Sequence, residues 1–87
     1  MSVTAGVDRR AFKRWMNDCP LRHWRDENDV TIMHAASVLG VSMTLIQLWE
    51  RGVHLPNPDN MRKLETLIGP GTAHRWADWN NDKPIVV

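Results

Sequence analysis

The side chains able to do chemistry are few and scattered. Four histidines, His23, His34, His54 and His74, stand far apart, and the single cysteine, Cys19, has no second thiol and no spaced histidine pair beside it. A closed zinc site draws its ligands from short, regular pairs, so this spacing predicts no metal. Cys19 lacks a partner arrangement that would make it a nucleophile, and no glycine-rich phosphate loop is present. Asp26 and Glu27 are adjacent, which on a helix turns them in different directions and denies them an acid–base pairing. The expectation is a chain with no catalytic residue, no cofactor and no enzymatic activity.

Positive charge does cluster. Between Arg9 and Arg25 lie Arg9, Arg10, Lys13, Arg14, Arg22 and Arg25 against one anion, Asp18. From Asp26 to Asp59 the balance reverses: Asp26, Glu27, Asp29, Glu50 and Asp59 face one cation, Arg51. The sum is only +1, from eleven Lys and Arg against ten Asp and Glu. That total is not the composition of a strongly basic nucleic-acid binder, but it conceals two segments of opposite character. Eight of the eleven cations are arginine, the side chain suited to forked contacts with carboxylate or phosphate.

These residues must be positioned by short helices. At 87 residues, 43% apolar, the chain has room for one small domain, and folding at this size buries about 60% of the unfolded surface. No repeat, low-complexity run or linker divides it, and nothing reads as alternating strands. No apolar run approaches a membrane span, no charged leader precedes an apolar core, and a lone cysteine fits a reducing compartment, so a cytoplasmic protein is expected. Asp8 is expected to cap a helix over 9–18, with Ala11, Phe12, Trp15 and Met16 on one side. Pro20 suits the first turn of the next, over 20–28. Thr31 caps a helix closed by Gly40, and Ser42 caps another that carries Leu45, Ile46 and Trp49 and ends at Gly52. Asp59 is expected to cap a fifth helix, and Thr72 to start a last one before a tail over 81–87. The predicted architecture is all-α, a compact bundle of five or six short helices in a single domain.

Thr31 to Gly52 holds the decisive arrangement: a helix with small residues Ala35 and Ala36, a tight turn through Gly40, and a capped second helix. Leu21-Arg22-His23-Trp24-Arg25-Asp26-Glu27-Asn28, Val30-Thr31, Ala36, Leu39-Gly40-Val41-Ser42, Ile46, Trp49-Glu50-Arg51-Gly52, Pro56 and Leu64 resemble the Cro/CI-type (lambda-repressor-like, XRE) helix-turn-helix family. The resemblance runs without a gap from Leu21 to Gly52 and more loosely to about Trp79, so 20–80 corresponds to the family core and 8–18 to an extra N-terminal helix.

The resemblance implies a sequence-specific regulator that binds double-stranded DNA as a homodimer on a palindromic operator, a phage or mobile-element repressor, nucleoid-associated when bound. It implies that Arg25 and Glu50 form a structural ion pair and that Met43, Thr44, Gln47 and Leu48 read bases. Gln47 can offer adenine a bidentate amide, and Thr44 can bond a base edge or touch a thymine methyl. Candidate phosphate contacts are Thr31, Ser42, Arg51 and His54, with Arg9, Arg10, Lys13 and Arg14 from the N-terminal helix and Arg62 and Lys63 beside the exit loop; Arg9 to Arg14 read equally well as the solvated face of an amphipathic helix. Met43 and Leu48 depart from the polar side chains usual there, and Ile32 replaces the usual phosphate-holding glutamine. Apolar contact with thymine methyls is one explanation of Met43 and Leu48; burial against a protein is the other.

Five tryptophans are a surplus for a domain this small. Trp24 and Trp49 fall at family core positions, whereas Trp15, Trp76 and Trp79 are expected to form a dimer or partner surface. The tail Ile85-Val86-Val87 offers either a strand across a dimer or a frayed end. The alternative reading is a helix-turn-helix fold used for protein binding, as an antirepressor, antitoxin or inhibitor of a host protein.

Overall fold

The computed structural model describes residues 3–84, with side chains from Arg9 onward. Six helices follow one another: α1 (Val3–Asp18), α2 (Pro20–Asn28), α3 (Ile32–Leu39), α4 (Met43–Glu50), α5 (Pro58–Ile68) and α6 (Thr72–Asp82). The expected all-helical bundle is present, and there is no strand among the described residues. No single helix among them is long and apolar enough to cross a membrane.

Local chemistry explains most boundaries. The Thr31 side chain accepts a hydrogen bond from His34 N–H, and Ser42 accepts one from Leu45 N–H, so each hydroxyl satisfies an amide left free by the first helical turn. Gly40 closes α3 in the left-handed region at φ 70° and ψ 35°, which a residue with a Cβ adopts only at a cost. Asp29 takes the same region at φ 53° after α2, one of the few non-glycine types that tolerate it.

Three expected boundaries are corrected. α1 runs through Asp8 rather than starting after it, so Asp8 is not its cap. Asn57, not Asp59, caps α5: its side chain accepts from Asn60 N–H, because Pro58 fills the first helical position and holds the preceding residue extended. α6 continues to Asp82, past the expected start of the tail at 81. Ile85, Val86 and Val87 lie outside the described residues.

The core joins Leu21 of α2, Ala35, Ala36 and Leu39 of α3, Ile46 and Trp49 of α4 and Leu64 of α5 to an indole-rich end made by Trp15, Trp76 and Cys19. The small Ala35 and Ala36 let α4 approach α3 closely, and the two axes turn by 107° across Gly40–Ser42. That angle and turn length are those of a helix-turn-helix pair.

Candidate nucleic-acid interface

The exposed side of α4 follows from what its other side buries. Ile46, Trp49 and Glu50 are inside, Leu45 is half-buried, and the remaining positions emerge one and two turns along: Met43, Thr44 and Gln47 are exposed and Leu48 is half-buried. The four residues expected to read bases therefore share one accessible stripe. Ser42 at its start and Arg51 at its end are also exposed. Thr31, exposed at the start of α3, and His54, exposed in the loop after α4, complete the group.

Arg25 and Glu50 hold this stripe in place. Arg25 Nε donates to Glu50 Oε2 at 2.7 Å and Nη2 to Oε1 at 2.8 Å, a bidentate fork with the two side chains only 14% and 9% exposed. Arg25 Nη1 also donates to the Val30 carbonyl at 3.1 Å, and the Arg25 carbonyl accepts from Val30 N–H. One residue thus ties α2, the entry to α3 and the end of α4. The Glu50 hydrogen bonds push the Arg25 guanidinium pKa above its ordinary range, outweighing the loss of hydration.

A second fastening is made by indoles. Trp15 Nε1 donates to the Trp49 carbonyl at 3.2 Å, and Trp79 Nε1 donates to the Gly52 carbonyl at 3.0 Å. The two rings lie 5.5 Å apart and within 9° of parallel. The Trp49 carbonyl also accepts from Gly52 N–H, so Trp15 adds a second donor there, while Trp79 supplies the donor for the Gly52 carbonyl in the turn after α4. Gly52 has no room for a side chain: a Cβ there would lie 2.5 Å from Trp79 Nε1 and 2.6 Å from Trp15 Cδ1.

This corrects the expected partner surface. Trp15 is 6% exposed, Trp76 is fully buried, and Trp79 is half-buried against Trp15 and, edge-on, Phe12. α1 and α6 pack on each other and add interior of their own, which these indoles fill. Trp76 Nε1 has no hydrogen-bond partner among the described residues.

The expected phosphate contacts do not lie together. Thr31, Ser42, Arg51 and His54 surround α4. Arg9, Arg10 and Lys13 are exposed and sit about 120–160° round α1 from Trp15, so they project from the side opposite the indole that meets α4. Arg14 lines the α1/α6 groove with Arg75 and with Asp18, Asp78 and Asp82, where a phosphate would meet three carboxylates against two guanidinium groups. Asp26 and Asp29 likewise share a shallow groove with Thr31. Arg62 pairs with Asp59, and Lys63 Nζ donates to the Leu39 carbonyl at 3.1 Å, capping the end of α3. The roles of Lys63, Trp15 and Trp79 as donors to helix ends carry no sequence signal, because each reaches a carbonyl more than twenty residues away.

No group of three or more His, Cys, Asp or Glu among the described residues could hold a metal ion. Burial pushes the Cys19 thiol pKa up to about 12, which keeps it protonated near neutrality. Comparison of the chain with protein-family models, with curated proteins and with solved structures gives no match.

Proposed function

We propose that the chain is a sequence-specific DNA-binding regulator of the Cro/CI-like helix-turn-helix type, acting as a homodimer on a palindromic operator. The observation that carries this reading is the α3–α4 pair, turned by 107°, whose second helix exposes Thr44 and Gln47 while its buried Glu50 is forked by Arg25. In this reading α4 enters the major groove, its exposed stripe meets base edges, and Thr31, Ser42, Arg51 and His54 face the backbone. Repression follows from occluding polymerase.

Titration against a selected duplex and a random duplex at several salt concentrations tests it. With Arg51 as the one fixed cation per protomer on phosphate, a dimer would show a log–log salt slope of about −2. Preference for the selected duplex with a slope near that value supports the regulator; equal and negligible affinity for both at low salt overturns it.

A second reading, protein binding as an antirepressor, antitoxin or host-protein inhibitor, is favoured by one observation. The large hydrophobics exposed among the described residues, Met33, Val38, Met43, Val53 and Leu55, all fall in α3, α4 and the exit loop. Clustered exposed apolar surface marks interaction sites more often than isolated residues do.

A further inference from the structure

We infer that the duplex this face selects is A·T-rich in its half-sites and that thymine 5-methyl groups carry a measurable part of the preference. The inference rests on the DNA reading above and names the sequence class it implies.

The argument begins with what α4 lacks. Its only charged residue, Glu50, is buried and committed to Arg25. The stripe that emerges is Met43, 47% exposed, with Thr44, Gln47 and the half-buried Leu48. In the major groove guanine is recognised by a cationic fork on O6 and N7, and cytosine by a carboxylate accepting from its amino group. No residue from Met43 to Leu48 can supply either. Adenine is recognised by an amide on N6 and N7, which Gln47 carries, and thymine by apolar contact with its methyl, which Met43, Leu48 and the Thr44 methyl can give.

The two apolar side chains also work against the other bases. A G·C pair pressed against Met43 or Leu48 would lose water from its polar edge and gain no partner, whereas a thymine methyl there buries apolar surface on both sides. Arg51 does not restore guanine reading. It follows Gln47 by one turn at the end of α4, whereas base contacts come from the first turns of a recognition helix, so it meets the backbone.

The test selects duplexes from a randomised pool with the full chain at low salt, then replaces thymine by deoxyuridine position by position in the winning duplex. Expected are A·T-rich half-sites, a loss of about fourfold in affinity for each methyl that is buried, and disappearance of that loss at one position in Met43→Ala. Met43 is exposed, so this variant keeps the fold, checked by circular dichroism. Guanine- or cytosine-rich winners, or A·T-rich winners that tolerate every deoxyuridine, overturn the inference and leave DNA binding intact. A pool with no enrichment and no affinity for any duplex overturns the DNA reading, and this inference with it.

Discussion

A guanidinium that gives two hydrogen bonds to a carboxylate and a third to a carbonyl has little left for a ligand, and Arg25 is in that state. Its worth lies in what it would strand if removed. Arg25→Met leaves Glu50 charged and nearly buried, and Glu50→Ala leaves the guanidinium without its fork. Each should lower unfolding free energy by about 3 kcal/mol, while the double replacement Arg25→Met with Glu50→Leu should recover much of the loss, as urea denaturation would show. Cys19 gives a second residue-scale expectation. Its thiol pKa is raised from about 9 to about 12 by burial, so the folded state holds the proton more tightly than the unfolded chain. The associated stability is complete below pH 9 and is lost as pH rises from there to about 12, with an upper bound of about 4 kcal/mol. Unfolding measured across that window should show the decline, and Cys19→Ala should flatten it.

Among the elements, α4 is held at both ends by different means: a Ser42 hydroxyl at its start, and a salt bridge with two indoles at its end. The second fastening is tested at Gly52, where φ is 78° and a Cβ would strike two rigid rings. Left-handed strain and overpacking together predict a loss of about 2–5 kcal/mol for Gly52→Ala. Gly40→Ala is the control: it has a similar φ of 70°, but its nearest neighbour is a flexible Lys63 Nζ 4.0 Å away, so about 1–2 kcal/mol is expected. Thermal denaturation of both ranks them. The contrast also marks what could be read from sequence. Thr31, Gly40 and Ser42 act through the backbone of their own turn, so their types and spacing sufficed. Gly52 reads as a helix terminator, and nothing nearby reveals that α1 and α6 close on it. Asn57 was hidden for a local reason, since Asp59 is an equally good capping residue and only Pro58 decides between them.

At the scale of the whole molecule, the net charge of +1 is a sum over surfaces that do different things. Arg9, Arg10 and Lys13 face outward from α1, Arg14 sits with carboxylates, and Arg25 is spent inside the fold. Around α4 the one fixed exposed cation among the expected contacts is Arg51. The exposed stripe on α4 could be deduced from helical periodicity, because its complement, Ile46, Trp49 and Glu50, is buried. The destination of Trp15, Trp76 and Trp79 could not. Their place depends on α1 and α6 meeting, a pairing between opposite ends of the chain that no local pattern encodes.

That pairing has a consequence in time. The caps and turn of the α3–α4 unit are local in sequence, so all their partners are present once residue 54 has been made. The carbonyl of Gly52, however, waits for an indole 27 residues further along. On the ribosome, α4 therefore emerges with the turn at Gly52 still open to water, and the exit from the helix with the exposed stripe becomes fully fastened only after α6 has followed it out.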